Sequence, residues 1–273
     1  MSLSSALSNS VSGLNAASRG LQTVSDNVAN ALTPGYVRRS PDVSSRLDGG
    51  VSIGPDVRSA AQQLTAERRV TDASIGSAQS RSAALTRVAS AFGTPGSDQT
   101  LSASLAKLEG ALSAAALSPE NTQTLIQVTD AASSIAEKIT NIAQVIQAEQ
   151  QSADDRIGQG VQTLNQSIAM IDTLNRAIVI GNAQGQSVAA LQDQRAGVLD
   201  QIAGLVPVKT VERITGEVAV FTTRGAALLD GAPATISFDQ TNGVTLGGAV
   251  ATQIMINGLP DTSNLLFGGS LGA

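Results

Sequence analysis

The chain opens on a heptad. Leu7, Leu14, Leu21 and Val28 recur every seven residues, and Leu3, Ala17, Val24 and Ala31 fill the intervening positions, with Ser10 alone out of character. The spacing predicts one long helix whose apolar seam, Leu3, Leu7, Leu14, Leu21, Val24 and Val28, is of the coiled-coil kind. The rest of its surface is Ser, Asn, Gln and Gly, with Arg19 and Asp26 the only charges. A helix of about 28 residues is roughly 42 Å long. Each seam leucine is worth about 1.5–3 kcal/mol only when a second surface covers it. Alone the helix is expected to be largely unfolded, and residues 1–30 are expected to exchange amide protons rapidly in a dilute monomer while Leu125 to Ile178 is protected.

The helix has a definite end. Pro34 cannot continue it and pushes Thr33 to an extended conformation, while Gly35 is expected at positive φ, so Asn30 to Tyr36 turns the chain sharply. Asn27 and Asn30 stand just ahead of the turn, where an amide serves either the orphan carbonyls of the helix or a neighbouring backbone.

Pro41, Gly49, Gly50, Gly54 and Pro55, with Val51 and Ile53 alternating between them, read as a loop with one or two short strands. Helical patterning resumes from about Val57 to Phe92 and breaks at Gly93-Thr94-Pro95-Gly96. A third helix, roughly Asp98 to Leu117, carries Leu101, Leu105, Leu108 and Leu112 on one side. Ser118 as N-cap and Pro119 at the first helical position start a fourth. Its seam of Leu125, Val128, Ala132, Ile135, Ile139, Ile142 and Ile146 admits Glu149, then resumes in shifted register at Ile157, Val161, Leu164, Ile168, Ile171 and Ile178, which is a stutter. The pattern spans about 60 residues, or roughly 90 Å unbroken, with Gly158 and Gly160 as places for a bend. Gly181 to Gly185 is a loop, and Val188, Leu191, Arg195, Val198, Leu199 and Ile202 mark a returning helix.

After Val206-Pro207 the period changes to two. Val206 and Val208, Val218 and Val220, Ile236 and Phe238, and Val244 and Leu246 alternate with polar residues, and Gly216, Gly231 and Asn242-Gly243 lie where turns are needed. The final Gly268 to Ala273 shows no closure. The fold class is therefore mainly α with a β-rich C-terminal part: an N-terminal coiled-coil helix with its turn and linker (1–58), a long heptad-patterned helical bundle (59–206) and a β domain (207–273).

Composition narrows the chemistry. Without His or Cys, the usual zinc ligand sets and the His-dependent nucleophile triads are excluded. A net charge of −5 without a basic patch argues against nucleic acid. Arg38-Arg39 and Arg68-Arg69 read as isolated, solvated pairs. The sequence has no run of about 18 apolar residues to span a membrane, and the N-terminus lacks the basic-then-apolar order of a cleaved signal peptide. Asp154-Asp155 point about 100° apart on a helix and form no acid–base pair. The Gly181 to Gly185 loop lacks the P-loop lysine. No catalytic, cofactor or metal site is predicted.

Asn27-Val28-Ala29-Asn30 followed by Thr33-Pro34-Gly35-Tyr36 and Arg38 resembles the N-terminal signature of the bacterial flagellar axial family of rod, hook and hook-associated proteins. Asp26 and Leu32 depart slightly from it. The helical insertion before the β part, and Leu191-Gln192-Asp193-Gln194-Arg195 with Leu199-Asp200 and Leu205-Val206, are similar to the hook-associated branch that begins the hook–filament junction. The resemblance implies a structural subunit joining hook to filament by helical-tube assembly through its terminal helix. It implies export through the flagellar type III apparatus with an uncleaved signal, and an extracellular place in the flagellum. The implied partners are other copies in a ring or tube, the hook protein, the next junction protein and an export chaperone, with no nucleic acid or membrane. Leu3, Leu7, Leu14, Leu21, Val24 and Val28 are then expected to build an inner packing layer with neighbouring subunits, and the turn motif of Asn27, Asn30, Thr33, Pro34, Gly35 and Tyr36 to set its angle to the body. Tyr36 is either a local plug under the turn or an intersubunit contact. Family members pair the first helix with a C-terminal heptad helix; none follows Val206, so a fragment or truncated form is expected. The competing reading is a non-catalytic coiled-coil scaffold or signalling protein.

Overall fold

A computed structural model describes residues 3–239, 253–264, 266 and 268–273. Helix α1 (Leu3–Ala29) leads through the turn into strands β1 (Arg39–Ser45) and β2 (Val51–Arg58), an antiparallel hairpin with a bulge between Pro41 and Val43. Together they form an arm. Val57, expected to open the next helix, instead pairs with Ser40, and Arg58 pairs with Arg39. The alternation begun at Val51 and Ile53 runs on through Val57, and α2 (Gln62–Phe92) begins only after Ala61.

The body contains α2, α3 (Leu101–Leu117), α4 (Thr122–Ala183) and α5 (Ala189–Leu205). Thr100 caps α3 by accepting from the Ala103 amide at 3.1 Å, so that helix starts three residues later than its pattern suggests. Ser118 closes α3 rather than opening α4; Asn121 caps α4, accepting from the Gln123 amide at 3.0 Å. Its 62 residues contain no proline and run unbroken, about 93 Å end to end. Gly160 is no bend: a side chain there would stand 2.6 Å from Leu271, so the glycine admits the C-terminal segment against the helix.

α3 folds back along the first half of α4, and Lys138 of α4 donates to the Gln99 carbonyl. The inward row of α3 holds Leu101, Ser104, Leu108, Ala111 and Ala115, whereas Leu105 and Leu112, expected on the same side as Leu101 and Leu108, are exposed. Glu149, the odd residue in the α4 seam, is matched by Arg87 of α2 through two bonds of 2.6 and 2.7 Å and by Arg156 at 2.7 Å. The hydrogen bonds from Arg87, reinforced by Arg156, hold its carboxyl down to about 2.

The apolar core lies at the other end of α4. Leu164, Ile168 and Ile171 meet Leu199 and Ile202 of α5 and Val208, Val220 and Leu228 of the first sheet. That sheet has the order β3 (Val208–Glu212), β4 (Val218–Thr222), β5 (Ala227–Asp230), β6 (Ala232–Pro233). A second sheet joins β7 (Ile236–Phe238), β8 (Ile254–Ile256) and β9 (Leu259–Pro260). The strand expected at Val244 and Leu246 and the turn at Asn242-Gly243 lie outside the described residues. Gly268 to Ala273, expected to show no closure, pack inward with Leu266: Leu266 and Leu271 are buried in the core, and Gly269 passes so close to the Leu205 carbonyl that a side chain would meet it at 2.1 Å.

Two asparagines weld the helices to the sheets. Asn175 of α4 donates to the Val218 carbonyl at 2.9 Å and accepts from its amide at 3.1 Å, and Asn165 does the same with Ile236 at 2.7 and 3.0 Å. In each case the side-chain amide supplies the donor and acceptor of a missing strand, so the backbone groups it meets are not orphaned. Arg195, which falls in the helical stripe of α5, is buried there as a polar link, donating to Asn175 at 2.8 Å and to the Gly216 carbonyl at 2.7 Å. Burial pushes its guanidinium below the ordinary value.

Candidate functional site: the arm and its hinge

The arm is inside out. The row of α1 that turns toward the hairpin is Ser5, Asn9, Ser12, Ala16, Arg19, Thr23, Asn27 and Asn30, a second heptad made of small and polar residues. Ser12 Oγ accepts from the Val51 amide at 3.1 Å, and Arg19 meets Asp56 at 2.9 Å while the buried Thr23 sets its hydroxyl 3.4 Å from the same carboxylate. At 100° per residue the apolar seam lies roughly 160° around the helix from this row. It is bare: Leu3, Leu7, Leu14, Leu21, Val24 and Val28 are all exposed, Leu14 at 71% and Leu21 at 73%. The helix therefore docks on its own chain, which the apolar pattern does not foresee, but through the face opposite the seam.

The turn motif closes the arm at its base. Asn27 repeats the strand-completing bond, donating to the Arg39 carbonyl at 2.8 Å and accepting from the Arg39 amide at 2.9 Å. Its oxygen also accepts from the Tyr36 hydroxyl at 2.9 Å. Asn30 works locally, donating to the Asp26 carbonyl at 2.9 Å, with the Thr33 hydroxyl 3.3 Å from its own oxygen. Gly35 has φ +82° and Pro34 is exposed at the crest. The half-buried Tyr36 lies under the Arg39 guanidinium, 4.8 Å from its ring centre, a cation–π contact worth about 0.5–1 kcal/mol in such a setting.

Arg39 then reaches the body. It contacts Asp193 of α5 at 2.7 Å, and Arg58, directly across the hairpin, contacts the other oxygen of Asp193 at 2.8 Å. The pairs Arg38-Arg39 and Arg68-Arg69 are thus not simply solvated. One arginine of each is withdrawn from solvent: Arg39 against Asp193, and Arg69 against Asp200 at 2.7 Å. Arg68 shares Asp200 at 2.6 Å, and that hydrogen bond raises its pKa above the ordinary value. Beside this hinge a cleft of about 890 Å³ separates the hairpin from the start of α2, from α5 and from β3.

Sequence reasoning finds the seam, Asn27 and Tyr36 but misses Arg19, Thr23, Arg39 and Asp193. The signal is there for α1: the polar positions at Ser5, Asn9, Ser12, Arg19, Thr23 and Asn27 repeat with the same 3–4 spacing as the leucines. For Asp193 only tertiary structure supplies the partners, 154 and 135 residues away.

Asp154 is buried and Asp155 exposed, on different sides of α4. Among the described residues no cluster of three or more His, Cys, Asp or Glu is placed to hold a metal, and no helix is long and apolar enough to cross a membrane. The arm thus presents a helix anchored by its polar face and bare along its apolar one, clamped by ion pairs to an elongated helical body.

A family model for flagellar basal body rod proteins matches residues 7–36, which cover the seam from Leu7 onward and the turn motif. One for the helical domain of the flagellar hook-associated protein FlgK matches residues 85–273. These place the chain among the axial structural proteins of the bacterial flagellum. It belongs to the family of the flagellar hook-associated protein FlgK. The flagellar hook junction protein FlgK from Burkholderia pseudomallei has the same fold, with a TM-score of 0.59 and 21% identity over 78% of this chain. The chain spans 38% of the length of that protein. No curated protein sequence matches significantly.

Proposed function

We propose that the chain is a structural subunit of the hook–filament junction, assembling through α1 into a ring or tube with other copies of itself. The observation that carries this reading is the bare seam of Leu7, Leu14, Leu21 and Val28 on a helix already fixed to its own chain by the opposite face. A monomer leaves that stripe in water at a cost of about 1.5–3 kcal/mol per large side chain relative to burial. The turn motif and the Arg39–Asp193–Arg58 clamp set the angle at which the stripe is presented. The hook protein and the next junction protein are its neighbours along the axis, and an export chaperone covers it before assembly. It leaves the cell by the flagellar type III route, acts outside it as part of the flagellum, and performs no catalysis.

Replacing Leu14 and Leu21 with Asp tests this. Junction formation in cells is expected to be lost while the thermal midpoint of the purified chain stays unchanged, because neither residue is buried in it. Normal junctions built from the double variant would remove the seam from the assembly surface.

A further inference from the structure

The contacts of the turn and those of the clamp meet on Arg39. Its backbone is held by Asn27, which donates to the Arg39 carbonyl at 2.8 Å and accepts from the Arg39 amide at 2.9 Å. Its guanidinium covers the Tyr36 ring at 4.8 Å, and the Tyr36 hydroxyl returns to the Asn27 oxygen at 2.9 Å. Three residues thus close a ring that joins α1, the turn and β1, and the ring opens to the body through Arg39 Nη2, 2.7 Å from Asp193. Arg58 is placed differently. It shares Asp193 at 2.8 Å but, among the described residues, makes no hydrogen bond or ion pair with α1 or the turn.

The Arg39 side chain is 19% exposed, and its Nε is buried with no partner among the described residues. The guanidinium has therefore given up much of its hydration and depends on Asp193 for its counter-charge. Deprived of that carboxylate, it is a largely buried cation standing opposite a second one, Arg58, and the cheaper state has it in water. As it leaves, it uncovers the Tyr36 ring and loosens the hydroxyl bond on Asn27. We infer that Arg39 is a positioning residue that couples the docking of α1 on the hairpin to the docking of the arm on the body, so that the two are kept or lost together. Coupling of this kind runs both ways: whatever steadies α1 also tightens the grip on Asp193. The inference rests on the assembly reading above for its purpose, since a coupled arm presents its seam as one unit, but the coupling itself is a property of the single chain.

Amide exchange in the unassembled chain, read relative to Ile168 and Ile202 of the core, tests it. Asp193→Asn is expected to speed exchange across residues 19–29 of α1 by at least about fivefold. Arg58→Met leaves the ring and its route to Asp193 in place, and is expected to change the same amides by less than about twofold. In Arg39→Met, and in Tyr36→Leu as a milder opening of the same ring, Asp193→Asn is expected to add less than about twofold, because the relay is already broken. Residues that merely fill space would give additive effects. Unchanged exchange of α1 in Asp193→Asn overturns the inference. So does an Asp193→Asn effect that persists undiminished in both backgrounds, or an Arg58→Met effect equal to that of Arg39→Met, since the clamp would then steady the hairpin as a whole. None of these outcomes bears on the seam, whose assembly role stands or falls with the Leu14 and Leu21 replacements.

Discussion

Arg39 and Arg58 face each other across the β1–β2 hairpin, and the two oxygens of Asp193 are divided between them. Like charges directly opposite on a sheet repel, so the arm carries a built-in repulsion that the carboxylate on α5 relieves. Asp193→Asn keeps the shape and removes the charge. It is expected to destabilise arm–body docking by about 1–3 kcal/mol, seen as faster amide exchange in residues 39–58 with unchanged protection of Leu164, Ile168 and Ile202. Equal protection in both proteins would show that the clamp holds nothing.

Tyr36 and Asn27 separate plug from contact. The hydroxyl is bonded within the chain, so Tyr36→Phe is expected to lower the stability of the arm by about 0.5–1.5 kcal/mol, and Tyr36→Ala by more through the lost ring packing beneath Arg39. Asn27→Ala is expected to be worse than Tyr36→Phe, because it also orphans the Arg39 amide and carbonyl. Denaturant unfolding followed by circular dichroism, with amide exchange across residues 27–39, ranks the three variants. An unchanged transition alongside lost junction formation would make Tyr36 an intersubunit contact.

Gly35 isolates backbone strain from packing. A side chain built at this glycine meets nothing within 4 Å, yet φ is +82°. Gly35→Ala is therefore expected to cost about 1–2 kcal/mol and Gly35→Val more, while Gly35→Asn costs less because asparagine tolerates the left-handed region. Thermal midpoints falling in the order Gly, Asn, Ala, Val check this; equal midpoints for Asn and Val would place the cost elsewhere.

Glu149 makes the distal bundle sensitive to acid. Its folded pKa, about 2, lies below the ordinary 4.5. The stabilisation is thus fully present above about 4.5 and is lost as pH falls toward 2 and the carboxylate binds a proton. Glu149→Gln is expected to remove this part of the slope from a plot of bundle stability against pH, with little change at lower pH. A slope identical to that of the parent would mean the Arg87 and Arg156 contacts do not persist in solution.

How far the sequence can be read follows from the range of the forces involved. The seam, the Pro34–Gly35 break, the long α4 and the change to strands at Val206 are all legible, since each is written within a few residues by periodicity or local chemistry. Helix starts are less so. Ser118-Pro119 looks like a first turn, but Asn121 competes for the same role and wins with a direct bond to Gln123. The polar welds are invisible. Asn27, Asn165 and Asn175 have no distinguishing neighbours in the sequence, and their use depends on which strand amide the fold brings alongside. The hairpin is half legible: Val51 and Ile53 alternate as a strand does, but the register shift between Pro41 and Val43 is not written in that alternation.

The long α4 converts angle into distance. Its far end stands roughly 93 Å from the end at which Asp193 grips the hairpin, so a tilt of about 5° at the clamp displaces the tip of the bundle by roughly 8 Å, more than a full helical turn. Two arginines sharing one carboxylate thus act as a fulcrum. In the assembly proposed above, the tolerance of the hinge, more than the stiffness of the helix, would fix how accurately one layer of subunits is stacked on the next.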